Sequence, residues 1–179
     1  MKSAEVLVDA FGRVREGVAE VLDGLTLDDL HARVDPGANS IGWLVWHLAR
    51  VQDDHVAEPA GREQVWLSEG WAERLALPYQ PREHGYGHTA EQVGRFRIAA
   101  VADLAGYVEA VHTRTVSFVE RLTDADLDRI VDEAWDPPVT LGVRLVSVIA
   151  DDLQHLGQAA YLRGMLARRT TNPGTGVDA

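Results

Sequence analysis

The stretch from residue 140 to residue 166 reads TLGVRLVSVIADDLQHLGQAAYLRGML, and its apolar side chains recur every three or four residues. That spacing is the period of an amphipathic α-helix. The stripe consists of Leu145, Val148, Asp152, His155, Ala159 and Leu162. Two of these positions are polar, and Asp151 lies one helical turn before His155. Because a polar group is costly to bury unless something satisfies it, these interruptions indicate a site.

Three other segments show the same period. The first carries Leu7, Phe11, Val14, Val18, Val21 and Leu25. The second follows a cap at Asn39 or Ser40 and carries Ile41, Leu44, Leu48, Val51 and His55. The third is predicted as one continuous helix from near Thr89 to Leu122. No segment alternates strictly as a half-buried strand does. Four amphipathic helices predict an all-α fold, a four-helix bundle.

The connections between these helices are long. Residues 60–88 hold a crossover in which we predict a short helix around Ser68–Leu75, with Ser68 as its cap. Four tryptophans are expected in the core rather than in a pocket wall: Trp43, Trp46, Trp66 and Trp71. We predict one bundle domain over residues 1–168 and a disordered tail over residues 169–179.

Composition excludes several classes of function. The chain is 46% hydrophobic and 25% charged, which is typical of a soluble globular protein, and no apolar run is long enough to span a bilayer. The N-terminal residues lack the features of a secretory signal, so we expect a cytoplasmic location. A net charge of −11 argues against nucleic acid or membrane as a partner. There are no cysteines, so any thiol chemistry needs an external thiol.

A candidate metal site combines the two interrupted stripes. Asp151 and His155 share one helix face, and His47 interrupts the stripe of the second helix. Three such ligands leave open coordination positions, as catalytic zinc sites do. The donor set also suits iron or nickel, so the spacing does not select the metal.

Alternative interpretations of these residues stay open from spacing alone. A lone histidine such as His47 is often a hydrogen-bonded core residue. Asp151 and His155 can form an ordinary hydrogen bond on a solvated helix face. Asp152, three residues before His155, can replace Asp151 as the carboxylate ligand.

The other histidines are weaker candidates. His55 lies about 12 Å beyond His47 along the helix axis and can line the mouth of a pocket. His84 and His88 lie in the crossover, where loop packing or solvent exposure is favoured over substrate contact. His31 and His112 are interpreted as structural.

The histidine within GWLVWHLARVQDDH and the closing-helix motif DDLQHLGQ resemble the DinB superfamily, over about residues 5–167. The acidic residue at Asp151 resembles the thiol-dependent branch, which includes mycothiol-dependent maleylpyruvate isomerases and mycothiol S-transferases. The resemblance implies His47, Asp151 and His155 as metal ligands, with Gln158 either holding a ligand in place or lying in solvent. It further implies zinc, mycothiol as thiol cosubstrate, a homodimer and an actinobacterial source. The isomerase's extra C-terminal domain is missing, which argues against maleylpyruvate.

The resemblance therefore implies a metal-dependent S-transferase that joins a low-molecular-weight thiol to a small electrophile. Two alternatives remain: a non-catalytic, metal-binding stress-response bundle whose ion only joins helices, and a metal-dependent hydrolase. No side chain is assigned as a general base, and the sequence does not identify the electrophile.

Overall fold

A computed structural model describes the backbone of residues 2–171 and the side chains of residues 2–168. The helices are α1 (Ser3–Leu22), α2 (Leu27–His31), α3 (Ile41–Ala57), α4 (Val65–Ser68), α5 (Trp71–Leu75), α6 (Ala90–Gly94), α7 (Val101–Val119), α8 (Asp124–Leu127) and α9 (Leu141–Thr171). The strands are β1 (Ile130–Asp132) and β2 (Val139–Thr140). Of the predicted tail, residues 169–179, the part from residue 172 onward lies outside the residues that the structure describes.

The four long helices form a bundle, as the sequence predicts. Helix α3 packs against α7 and α9, and α1 packs against the same two helices. The apolar stripe of α1 is buried at Phe11, Val14 and Val18, and that of α9 is buried at Leu145 and Val148. Burial of such stripes supplies most of the stability of amphipathic helices. The all-α prediction is therefore confirmed.

The predicted continuous helix from Thr89 to Leu122 is wrong. Thr89 caps the short helix α6, and the chain then leaves the helical conformation before α7 begins. Between these helices, Phe96 and Ile98 insert into the core. The Ile98 backbone N–H donates to Nε2 of His31 at 3.2 Å. This contact replaces a helical hydrogen bond and gives His31 the structural role that the sequence predicts.

The crossover differs in detail from its prediction. Helix α5 begins at Trp71 after Gly70, which adopts the left-handed conformation with φ of 73°. Ser68 ends α4 instead of capping α5, and its hydroxyl donates to the Gln64 carbonyl at 2.9 Å. The antiparallel hairpin of β1 and β2 was not predicted, because strands of three and two residues are too short to leave an alternating pattern.

Helix α9 begins one residue after Thr140 and continues to Thr171, past Leu166, the last residue of the periodic stretch. Within the described residues, no helix combines the length and the apolar character that a membrane span requires. The contact between α3 and α9 is the most extensive between any two elements, and it places His47 opposite Asp151 and His155.

Candidate metal centre

Helix α3 carries His47 into the interior of the bundle. Ser40 caps this helix by accepting a hydrogen bond from the Trp43 backbone N–H at 3.2 Å. Every side chain from Ile41 to Asp53 is buried, and His47 keeps only 5% of its surface exposed. The Trp43 ring stacks on the His47 imidazole with centroids 4.8 Å apart. The imidazole is therefore fixed in position by packing.

A backbone hydrogen bond sets the tautomer of His47. Its Nδ1 donates to the carbonyl oxygen of His84, which belongs to the crossover. A carbonyl only accepts hydrogen bonds, so Nδ1 carries the proton and Nε2 presents a lone pair. Metal-binding histidines generally have their second ring nitrogen held in this way.

Helix α9 presents the other two candidate ligands. His155 Nε2 lies 3.5 Å from Oδ1 of Asp151, one turn away on the same face. His155 Nδ1 lies 3.4 Å from Oε1 of Gln158. The candidate ligand atoms of His47, Asp151 and His155 all lie within 4.8 Å of one another. The structure thus brings together the three residues that the sequence selects, although binding of an ion there stays a prediction.

The pKa values fit a cation site. Burial lowers the pKa of His47 to about 4, against the opposing effect of its bond to His84, so this imidazole is neutral at pH 7. Burial alone raises the pKa of Asp151, but the hydrogen bond and charge of His155 outweigh it, and the net pKa is lowered. The bond to Asp151 raises the pKa of His155. Because a histidine ligand must be deprotonated, a cation would compete with the proton whose binding to His155 is favoured by Asp151.

The two adjacent carboxylates have different environments. Oδ2 of Asp151 is buried without a hydrogen-bond partner beside the two imidazoles, so it is an acceptor that a cation can satisfy. Asp152 is fully buried, and neither of its carboxylate oxygens has a hydrogen-bond partner. Burial and the neighbouring Asp151 raise its pKa well above the usual value. Since Asp152 is not in the cluster, the geometry selects Asp151 over Asp152.

The donor set fits a divalent transition metal. Two imidazole nitrogens and one carboxylate oxygen are ligands that zinc accepts, and iron and nickel also bind such sets. Among the described residues the cluster has three members, so a fourth position is left for a small molecule.

A cavity opens beside the three ligands. Its volume is about 380 Å³, within the range of roughly 300–1,000 Å³ found for small-molecule sites. It is lined by His47, Val51, His55, His84, Tyr86, Ser147, Val148 and Asp151. His55 is therefore at the cavity, as the sequence suggests, and His84 lines it too. His88 instead packs against Trp43, Trp46 and Tyr79, which confirms loop packing for that residue.

The four tryptophans predicted in the core are core residues. Trp43, Trp46 and Trp66 are at most 5% exposed, and Trp71 packs against the same core. None of the four is among the residues that line the cavity. The apolar part of the cavity wall comes from Val51 and Val148 instead.

Sequence reasoning missed a buried polar cluster next to the site. Arg50 and Asp53 on α3 are both fully buried, and they contact Tyr107 of α7. The sequence did contain a signal for this cluster. Helix α3 is apolar on every side near Arg50, so the charged side chain of Arg50 cannot reach solvent. The wall residues Tyr86 and Ser147 were also missed, since neither interrupts an apolar stripe.

Comparison with known proteins agrees with this architecture. No curated protein matches the chain significantly. A crystal structure of a conserved protein from Enterococcus faecalis is similar, with a TM-score of 0.85 and 32% identity over 91% of this chain and 96% of that one. The family model of the DinB superfamily matches residues 10–159. The chain therefore belongs to the DinB superfamily.

Proposed function

We propose that this protein is a metal-dependent S-transferase that joins a low-molecular-weight thiol to a small electrophile. The observation that carries the proposal is the convergence of His47, Asp151 and His155 within 4.8 Å at the wall of an open cavity. Three protein ligands beside a cavity are typical of catalytic rather than structural metal sites.

Each residue of the centre has a defined part. His47 and His155 would hold the cation through Nε2, because the Nδ1 atom of each faces an oxygen acceptor. Asp151 would supply the anionic ligand. A bound divalent cation lowers the pKa of a coordinated thiol and so makes its sulfur nucleophilic. The cavity wall positions the second substrate and limits its contact with water.

One further point supports a thiol as cosubstrate. The acidic residue at Asp151 matches the pattern of the thiol-dependent branch of the superfamily. The chain has no cysteine, so the nucleophilic sulfur would come from a diffusible molecule. We assign zinc as the metal and mycothiol as the thiol, with reaction in the cytoplasm.

A second copy of the chain is the partner we propose for the outer face of α9. Its exposed positions from Val143 to Tyr161 include Val146 and Leu153 and contain no charged residue. Copies of a chain with net charge −11 repel one another, and a contact surface without charged residues keeps like charges from being brought close together. Depletion of charge is also what distinguishes the centre of protein interfaces.

Two rival functions make different predictions. A metal that only joins helices would have a shell completed by protein ligands, and the three-member cluster argues against this. A metal-dependent hydrolase would act on its substrate without any added thiol.

The decisive experiment follows consumption of a chromogenic electrophile by zinc-loaded protein, with and without mycothiol. We expect turnover that needs both zinc and thiol. Asp151→Asn should lose turnover and zinc, whereas the matched control Asp152→Asn should keep both, since Asp152 lies outside the cluster. Turnover without thiol would establish the hydrolase, and zinc binding without turnover would establish the structural role.

A further inference from the structure

We propose that Arg50 is a positioning residue of the metal centre: its buried guanidinium holds the crossover so that the His84 carbonyl fixes His47. This inference rests on the proposed metal centre. It concerns a residue that neither contacts the cavity nor belongs to the ligand set.

The Arg50 side chain is fully buried and has a partner for each nitrogen. Its Nη2 donates to Oε1 of Gln64 at 2.8 Å, and its Nη1 donates to the Tyr107 hydroxyl at 3.3 Å. Nη1 also lies 3.6 Å from Oδ2 of Asp53, and the guanidinium lies over the Trp66 ring at 5.1 Å. The remaining nitrogen, Nε, donates to the Glu83 backbone carbonyl at 3.2 Å.

The counterion Asp53 is held as firmly as the guanidinium. Its carboxylate accepts hydrogen bonds from the backbone N–H groups of Val65 and Trp66, each at 2.8 Å, and from the Tyr107 hydroxyl at 3.1 Å. Partners from α4 and α7 therefore fix the ion pair in one geometry. A guanidinium in such a setting is a rigid anchor for whatever its last N–H contacts.

The anchored segment is the one that touches the metal ligand. Glu83 is bound by Arg50 through its carbonyl, and the next carbonyl along the chain, that of His84, accepts from Nδ1 of His47. The following residue, Gly85, has φ of 95°, and a Cβ there would lie 2.8 Å from His47 Nδ1. Arg50 and His47 are three residues apart on one face of α3, so two consecutive carbonyls are held by the same helix.

Stability alone does not account for this arrangement. A buried ion pair contributes little net free energy compared with apolar residues of similar volume, because both charges must be desolvated. Apolar residues in place of Arg50 and Asp53 could not orient the His84 carbonyl. Outer contacts of this kind hold metal-bound histidines in their tautomer and ring orientation.

The test compares Arg50→Lys with Tyr107→Phe in the full chain. Arg50→Lys keeps the charge next to Asp53 but removes the N–H that binds Glu83. Tyr107→Phe removes two hydrogen bonds of the same buried cluster and leaves the Glu83 contact in place. Two quantities are measured: Zn²⁺ affinity by competition with a chromogenic chelator, and the His47 tautomer by ¹H–¹⁵N correlation of the imidazole rings in metal-free protein.

We expect Arg50→Lys to weaken Zn²⁺ binding about 10-fold, the lower end of the effect of outer-contact mutations, and to mix the tautomers of His47. Tyr107→Phe should leave both readouts as in the parent chain, even where it lowers the midpoint of urea unfolding. Equal loss of Zn²⁺ affinity in the two variants, or an unchanged His47 tautomer in Arg50→Lys, would overturn the proposal.

Two further arms keep the result interpretable. If Arg50→Lys does not fold, the double variant Arg50→Met/Asp53→Asn removes both buried charges together with the N–H that binds Glu83, and the same two readouts apply. If the parent chain binds no Zn²⁺, the proposed function fails. The tautomer of metal-free His47 then decides the positioning role separately.

Discussion

Helices α1 and α3 have similar lengths and lie in the same bundle, but they bury different kinds of side chain. All buried residues of α1 are apolar, and its exposed positions include Asp9, Glu16 and Glu20. Helix α3 buries His47, Arg50, Gln52 and Asp53 among its apolar residues. A bundle core can be stable without polar groups. We therefore interpret the polar residues buried on α3 as residues kept for function.

The largest expected effects come from substitutions that distinguish a core residue of α1 from a metal ligand of α3. Phe11→Ala should lower the free energy of unfolding by about 3–5 kcal/mol and leave Zn²⁺ affinity unchanged, because Phe11 fills the core and belongs to neither the ligand set nor the cavity wall. His47→Ala should weaken Zn²⁺ binding by more than about 100-fold, beyond the range of outer contacts. Urea unfolding and chelator competition measure both quantities. Loss of metal in Phe11→Ala would show that the contrast between α1 and α3 is false.

Lowering the pH should destabilise the metal-free fold, because His47 of α3 is buried in its neutral form. Its pKa in the folded chain is about 4, below the unfolded value of about 6.5, so the unfolded state binds more protons in this window. The contribution of His47 to the free energy of unfolding therefore falls as pH falls from 6.5 toward 4, by about 2 kcal/mol between pH 7 and pH 5. Urea unfolding of metal-free protein at the two pH values tests this. His47→Gln should show a smaller loss than the parent, and an equal loss in both would contradict the assignment.

Loss of the N-terminal cap of α3 should lower the free energy of unfolding but change Zn²⁺ affinity little. Ser40→Ala removes the acceptor for the Trp43 N–H, which typically costs about 1 kcal/mol. The imidazole of His47 stays fixed by Trp43 and His84, so Zn²⁺ affinity should change little. Thermal unfolding and chelator competition on the same sample provide the check. A large fall in affinity with no loss of stability would mean that the cap, not the crossover, positions His47.

The smallest effect on chain stability concerns the exposed faces of α1 and α9. Leu153→Glu places a charge on the uncharged face of α9 and should alter the free energy of unfolding of one chain by less than about 0.5 kcal/mol. It should nevertheless convert the proposed homodimer to monomer in analytical ultracentrifugation. Val6→Glu, at an exposed apolar position of α1, is the matched control and should leave the dimer intact. A monomeric parent chain would refute the proposed partner.

The sequence predicts the bundle because apolar side chains repeat with the helical period, and it predicts His47, Asp151 and His155 because they interrupt that repeat. The choice between Asp151 and Asp152 needed coordinates, since adjacent helical residues point about 100° apart and the helix rotation decides which faces α3. The break between α6 and α7 also escaped prediction. It depends on a long-range hydrogen bond from Ile98 to His31 that no local pattern encodes.

Arg50 illustrates a different kind of failure. Its type and position were visible, but its role depends on the Glu83 carbonyl, which lies 33 residues away in the chain. The spacing of side chains on one helix contains no information about a loop carbonyl that meets it. Contacts of this sort become predictable only when the path of the crossover is known.

The most direct test of the metal centre is a crystal structure of the zinc-loaded protein. Our account predicts one zinc ion held by Nε2 of His47, Nε2 of His155 and the carboxylate of Asp151, at metal–ligand distances of about 2.0–2.2 Å. The remaining position should face the cavity beside Val51 and Val148. A zinc ion bound elsewhere, or an Asp152 carboxylate in the coordination shell, would contradict the account.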